Sequence, residues 1–315
     1  MKLSIVATLY QSAPYIAEFH QRASAVAKQL VGQDYEIVLV NDGSPDISLD
    51  LAVQLTKNDD NVVLVDLSRN FGHHKAMMTG LAHAKGDRIF LIDSDLEEEP
   101  EWIIEFTEQM TSENCDVVYG IQKERKGGLF ERFTGHWFYL FINAITGLTI
   151  PENPVCARLM SRRYIDALLR HKEREFFISG LFNITGFTQH PHTVKKHATS
   201  ETTYTFRKKI SLLINSITSF SNLPLIGIFY IGALIFLLAL LYTLFLIIHW
   251  MFIPKPLSGW TSVIASIWFL GGMIISFIGI IGIYLSKVFS ETKQRPYTIV
   301  RQIYGKPQDQ DIDQS

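Results

Sequence analysis

Between residues 3 and 92, four short runs of apolar and β-branched residues are separated by longer stretches whose apolar positions recur at helical spacing. Short apolar strands alternating with helices predict a parallel sheet covered by helices. Strands are expected at 3–9, 35–40, 62–67 and 88–92, with a first helix at about 14–30. Three of the strands end abruptly in polar residues. These are Asn41-Asp42-Gly43-Ser44-Pro45 after the second, Ser68-Arg69-Asn70-Phe71-Gly72 after the third and Asp93-Ser94-Asp95-Leu96-Glu97 after the fourth. In open α/β sheets ligands bind outside the carboxyl ends of the strands, so these tips are expected to meet at one crevice.

The pattern changes after residue 204. Residues 205–220 carry basic positions followed by Ile210, Leu213, Ile214, Ile217 and Phe220 at helical spacing, which predicts an amphipathic helix lying in a membrane interface. Residues 225–248 and 263–285 contain no charged side chain, and each run exceeds the roughly 20 apolar residues needed to cross a bilayer. Trp250 and Trp260 flank the connection, where interfacial aromatics are expected. That connection carries only Lys255, whereas Arg207, Lys208 and Lys209 precede the runs and Lys287, Lys293, Arg295 and Arg301 follow them. The positive-inside rule then places both ends in the cytoplasm. The expected organisation is a catalytic domain at 1–204, an interfacial helix at 205–222, a two-helix membrane domain at 223–286 and a cytoplasmic tail at 287–315. The aromatic-rich stretch 130–145 reads equally as a membrane contact or as a core or subunit helix, and 308–315 reads as a disordered end.

Composition adds boundaries. The chain has 315 residues, 47% of them hydrophobic, and a net charge of −2, which gives no sign of nucleic-acid binding. Its two cysteines, Cys115 and Cys156, fit a reducing compartment rather than a disulfide framework or a zinc site. The first ten residues are too strand-like for a signal peptide, which leaves the large domain in the cytoplasm.

The candidate chemistry lies at the fourth strand end. Side chains at i and i+2 of an extended segment share a face, so Asp93 and Asp95 point together and Glu97 continues the spacing. Oxygen ligands of this kind suit Mg²⁺ or Mn²⁺, with open positions for a nucleotide diphosphate. An isolated Asp-x-Asp is more often a solvated turn or cap, and Asn41-Asp42-Gly43-Ser44 alone reads first as a turn. Beside the Asp-x-Asp, Asp42 becomes an acceptor for a base N–H or a ribose hydroxyl. Arg69 reads equally as a salt-bridge partner. His73 and His74 read either as a solvated helix start or as diphosphate contacts, and no fixed third ligand marks them as a metal site.

Several segments then carry a resemblance: residues 3–10, Val40-Asn41-Asp42-Gly43-Ser44-Pro45-Asp46, Leu67-Ser68-Arg69-Asn70-Phe71-Gly72, Asp93-Ser94-Asp95-Leu96, Arg158-Leu159-Met160-Ser161-Arg162-Arg163, Ile217-Thr218-Ser219-Phe220-Ser221, Phe269-Leu270-Gly271-Gly272 and Arg295-Pro296-Tyr297. In this order they resemble the family-2 glycosyltransferases that act on polyprenyl phosphates, of the bactoprenol glucosyltransferase type and related to dolichol-phosphate mannose synthases. The resemblance implies a GT-A domain, Rossmann-like with a mostly parallel sheet. It implies a donor UDP-sugar bound by Thr8, Leu9, Tyr10, Asp42, Arg69, Asn70, Asp93, Ser94 and Asp95, and a Mg²⁺ or Mn²⁺ ion on Asp93, Asp95 and Glu97. It also implies inverting transfer of one sugar, glucose first, to undecaprenyl phosphate at the inner face of a bacterial plasma membrane, for surface polysaccharide or lipopolysaccharide modification. A tetrameric homo-oligomer is part of the family expectation. Arg125, Arg132, Arg158, Lys195 and Arg207, with Lys196, are the basic residues expected near the acceptor phosphate.

Three departures from the family pattern stand out. Val155-Cys156-Ala157 replaces Gly-Asp-Phe, removing the carboxylate often taken as the base and leaving Glu152 as the nearby substitute. Glu97-Glu98-Glu99-Pro100 replaces Gln-Asp-Pro-Pro, and Thr202-Thr203-Tyr204 replaces Ser-Lys-Tyr. They leave three rivals open: another donor (UDP-galactose, UDP-N-acetylglucosamine, GDP-mannose or an amino sugar), a degenerate binder without turnover, and a purely structural membrane anchor. A processive synthase is disfavoured by two spans and the absence of Gln-x-x-Arg-Trp.

Overall fold

The computed structural model describes residues 2–122, 151, 153–173, 178–196, 221–252 and 259–305. Glu152, Arg125, Arg132 and Arg207, the stretch 130–145 and the expected interfacial helix at 205–220 lie outside the described residues.

The four expected strands form. They are β1 (Leu3–Leu9), β2 (Tyr35–Asn41), β3 (Val62–Leu67) and β4 (Arg88–Leu91). β1 pairs in parallel with both β2 and β4, and β2 pairs in parallel with β3. Every residue of β1 and β2 is buried, as the continuous apolar runs require of a sheet covered on both faces. The pleat sorts them. Leu3, Ile5, Ala7 and Leu9, with Ile37 and Leu39, enter one core, and Val6, Val38 and Val40 enter the other.

Helices α1 (Ile16–Val31), α2 (Ser48–Asn58) and α4 (Trp102–Ser112) cover the first face. In α1, Ile16, Phe19, Ala23, Val26 and Ala27 make the buried stripe, with spacings of three and four residues. The second face is covered by α3 (His73–His83), α5 (Arg162–Leu168) and α6 (Ile178–Ile184). Gly80 of α3 sits where a Cβ would collide with Val6 and Val40, so the helix lies directly on the sheet.

The sheet extends further than the four runs announce. β5 (Val117–Gln122), β6 (Pro154–Ser161), β7 (Gln189–Val194) and β8 (Val300–Tyr304) complete eight strands in the order β7-β5-β6-β4-β1-β2-β3-β8. β6 runs antiparallel to β4, and β8 runs antiparallel to β3. The segment expected as a cytoplasmic tail therefore contributes a strand to the sheet.

Two long helices precede β8: α7 (Leu223–Phe252) and α8 (Trp260–Thr292). Within α8, Ser266–Thr292 is long and apolar enough to cross a membrane, with mean hydropathy 2.1 and none of it buried in the protein. Leu223–Ile235 of α7 is a shorter apolar helical stretch.

Candidate functional site

The carboxyl ends of β1, β2, β3 and β4 meet through hydrogen bonds between their loops. Ile92 N still donates to Val6 O at 3.0 Å, so the chain leaves β4 beside the end of β1 before Asp93. Ser94 Oγ donates to Thr8 O at 2.7 Å and lies 3.1 Å from the Ser12 hydroxyl. Ser94 is buried, and its hydroxyl fastens the Asp-x-Asp loop to the first strand end. Leu9 is buried in the core, and its carbonyl accepts from Asp42 N at 3.1 Å. Of the three residues at the end of β1 expected at the donor, Thr8, Leu9 and Tyr10, Tyr10 is exposed and Thr8 is buried with its hydroxyl 3.0 Å from His73 Nδ1.

Asp42 ties β2 to the third loop. Its carboxylate accepts from Phe71 N at 2.7 Å and Gly72 N at 3.0 Å. Burial raises its pKa against the lowering effect of those two amides. Gly43 has φ +58°, and a Cβ there would fall against the backbone of Arg69 and Asn70. A glycine is therefore required for the two loops to touch. Arg69 and Asn70 are exposed, with the Arg69 guanidinium 4.1 Å from the Phe71 ring centre and donating to Asn70 O.

Asp93 and Asp95 follow the end of β4. Burial works to raise Asp93, but the His73 hydrogen bond and charge, then Lys196, hold it below the usual carboxylate range. Burial and the Asp93 charge raise Asp95, whose Oδ1 accepts from Glu97 N at 3.0 Å. Glu97, expected beside them as the third metal ligand, has its carboxylate 3.1 Å from Lys196 Nζ. Asp93 Oδ1 is buried and faces His73 Nε2 at 3.3 Å, an ion-pair contact that leaves the oxygen with acceptor capacity for a cation. Paired carboxylates with one such oxygen fit a hard divalent ion.

Glu98, legible in the sequence only within a departure from the family pattern, has a structural place in the site. It is fully buried and accepts from Cys156 N at 2.9 Å and Ala157 N at 2.8 Å, locking the start of β6 to the Asp-x-Asp loop. Burial and the Asp93 charge push it up to about 8, against Lys196 at 3.7 Å and the two amides. Burial opposes a charge on Lys196, but Glu98, Glu97, Asp93 and Asp95 together hold its pKa above the ordinary lysine value. Lys195, its expected neighbour at the acceptor, is exposed; Lys196 is the lysine aimed at the carboxylates.

Cys156, where the family pattern has Asp, lies close to Asp93 and His73. Burial, then the charges of Asp93 and Glu98, raise its pKa well above the ordinary thiol value. Arg158 is two residues on and so shares its strand face. Arg158 is buried, with its guanidinium 3.6 Å from the Phe182 ring centre and Nε without a partner among the described residues. A buried, incompletely paired guanidinium is a ready anion contact.

Comparison with known proteins gives the family. A protein of Mycobacterium tuberculosis (strain CDC 1551 / Oshkosh) whose name describes glycosyltransferases is 51% identical over 305 residues, 97% of this chain and 89% of the relative. The prophage bactoprenol glucosyl transferase homolog of Escherichia coli (strain K12) is 32% identical over 306 residues, 96% of this chain and 99% of the relative. Among solved structures, glucosyl-3-phosphoglycerate synthase from Mycobacterium tuberculosis aligns with a TM-score of 0.48 and 18% identity over 70% of this chain and 80% of that one. Residues 4–169 match glycosyl transferase family 2, and the chain belongs to that family.

Proposed function

We propose that the protein transfers a single sugar, glucose by first choice, from a UDP-sugar to undecaprenyl phosphate at the cytoplasmic face of a bacterial plasma membrane, with inversion at the anomeric carbon. One observation carries the reading: the loops after β1, β2, β3 and β4 are hydrogen-bonded together and bring the partly buried Asp93 carboxylate beside Asp95 at the strand ends. Near full-length likeness to a relative named for bactoprenol glucosyl transfer supports the acceptor.

In this mechanism Asp93 and Asp95 would hold Mg²⁺ or Mn²⁺, which would supply charge neutralisation at the departing nucleoside diphosphate. Asp42 shapes the loop that presents Arg69 and Asn70 to the donor, and exposed Tyr10 borders the same crevice. The acceptor phosphate has a second pKa of about 6, as a phosphoserine has, so it is largely dianionic near neutrality. It needs cationic positioning more than a base. Arg158 is the described candidate for that role; Lys195 and, outside the described residues, Arg125, Arg132 and Arg207 are the others. Glu152 is the candidate base. α7 and α8 are read as a two-helix membrane anchor with both ends cytoplasmic, entered through the interfacial segment 205–222, in a homo-oligomer.

The test is transfer of radiolabelled sugar to undecaprenyl phosphate by purified protein, across a panel of UDP- and GDP-sugars with Mg²⁺, Mn²⁺ or EDTA. Glycolipid from one donor, abolished by EDTA, is the expected result; product from a different donor would rename the sugar and keep the reaction. A second reading, a nucleotide-sugar binder without turnover, is favoured by Cys156 at the family's Asp position. Nucleotide binding with no product from any donor would establish it.

A further inference from the structure

The Asp93 carboxylate has neighbours that a hard-cation site does not need. Ligand atoms of His73, Asp93 and Cys156 all lie within 4.8 Å of one another. They come from three separate elements: the first residue of α3, the loop after β4, and β6. His73 Nδ1 is 3.0 Å from Thr8 Oγ1, and His73 Nε2 is 3.3 Å from Asp93 Oδ1. In the protonated ring Nε2 donates toward Asp93 Oδ1, the pairing that lowers the Asp93 pKa; in the neutral tautomer in which Thr8 accepts the Nδ1 proton, Nε2 instead turns a lone pair toward that oxygen. Two acceptors in that position require a proton or a cation between them. An imidazole whose far nitrogen is fixed by a second group is also the usual arrangement of a metal-bound histidine.

We propose that this end of the crevice is a mixed nitrogen, oxygen and sulfur site, in which His73, Asp93 and Cys156 take a borderline divalent ion of the Zn²⁺ or Co²⁺ type. A thiolate and an imidazole favour such ions over Mg²⁺, which prefers oxygen. Bonds of about 2.0–2.3 Å in a tetrahedral site place ligand atoms roughly 3.5 Å apart, so the three side chains need close inward only by about an ångström. The exchange balances simply: the Cys156 S–H bond breaks, a sulfur–metal bond forms, and the proton goes to solvent. Exposure of His73 leaves a route in and room for a fourth ligand. The site shares Asp93 with the donor metal of the proposed function. It rests on that reading only for its consequence, which is that a borderline ion displaces Mg²⁺ or Mn²⁺.

The experiment is a Co²⁺ titration of the chelator-stripped full chain in detergent, with and without UDP, read by absorbance. The expected result is a thiolate-to-Co²⁺ charge-transfer band that saturates at one equivalent and is removed by Zn²⁺. It should vanish in Cys156→Ser and Cys156→Asp and persist in Cys115→Ser. Cys156→Asp should still bind Mn²⁺, which separates loss of the thiolate from loss of the fold, and His73→Ala should weaken Co²⁺ binding roughly tenfold or more. Displacement of bound Mn²⁺ by Co²⁺ without a thiolate band would overturn the proposal while leaving the donor-metal reading standing. A band that follows Cys115 would overturn it in favour of the separate Glu113–Cys115–His190 cluster. No binding of Co²⁺ or Mn²⁺, even with UDP, would overturn both.

Discussion

At the scale of single residues, Asp95 and Glu98 separate chemistry from architecture. Among the described residues Asp95 accepts one local hydrogen bond, from the Glu97 amide, so Asp95→Ala should leave thermal stability near wild type. If Asp95 holds the donor metal, sugar transfer should fall at least a hundredfold, because the ion supplies several kcal/mol at the leaving diphosphate, and about 2.7 kcal/mol is already a hundredfold. Glu98 behaves oppositely. Glu98→Ala strands two buried amides, Cys156 N and Ala157 N, at a cost of about 1–3 kcal/mol each when no water replaces the carboxylate. Its midpoint in a thermal melt should drop by several degrees, and activity should fall with it; unchanged stability would mean that water takes over. The sequence alone exposes Asp93 and Asp95, because period-two spacing at a strand end is a local signal. It does not expose Glu98 or Lys196, since their roles depend on β6 and on the segment after β7 coming alongside a loop roughly 60 and 100 positions away in the chain. The same holds for Cys156, legible as a departure from a family pattern but only in the fold as a neighbour of His73.

Among elements, the helix start after the second strand and the returning last strand make distinct predictions. Asp46 Oδ1 accepts from Ser48 N at 3.0 Å and Ser44 Oγ at 2.6 Å, and Oδ2 accepts from Ala13 N at 3.2 Å. Slight burial works to raise its pKa, but these hydrogen bonds bring it down to about 2 from 3.8. A depressed folded pKa gives stability that is full above the unfolded value near 4 and is lost as pH falls through 2. The stability gap between wild type and Asp46→Asn, measured by urea melts, should therefore be constant from pH 7 to 5 and close below pH 4. β8 acts on the donor loop from outside. Arg301 donates to Ser68 O at 2.9 Å and lies 3.5 Å from Asp66, and Ile299 O accepts from Ser68 N at 2.9 Å. Arg301→Ala should raise the donor KM severalfold with a smaller change in kcat, because it loosens the strand end that carries Arg69 and Asn70; an equal fall in kcat would place Arg301 nearer the chemistry. The four parallel strands are legible because each is a largely buried, mainly apolar run bounded by turn residues. β8 was not: Val300-Arg301-Gln302-Ile303-Tyr304 is a half-exposed edge strand whose partner lies more than 230 residues earlier, and propensity carries no record of such a partner.

For the whole molecule, the decisive contrast is between a sheet domain that buries its apolar residues and two long helices that do not. Phe229, Tyr230, Leu237 and Leu241 of α7, and Trp268, Ile275, Ile278 and Leu285 of α8, are all exposed. A continuous apolar surface of this extent is not stable in water and needs lipid or another protein against it. Helices of 30 and 33 residues are about 45 and 50 Å long at 1.5 Å per residue, more than the ~30 Å hydrocarbon core requires. The sheet adds a constraint on topology. β8 follows α8 by only a few residues and pairs with β3, so the end of α8 and the catalytic crevice must lie on the same side of any membrane. The two-span reading then fixes the connection between the helices on the far side. In intact cells a membrane-impermeant maleimide should label Ser258→Cys in that connection and leave Ser315→Cys unlabelled until the membrane is opened. Native Cys115 is buried and Cys156 lies inside the crevice, so each is replaced by Ser in a parallel sample to show that neither contributes. Labelling of neither engineered cysteine before lysis would instead place both ends of α8 on the inner side, with α7 and α8 lying along the inner surface rather than across the bilayer.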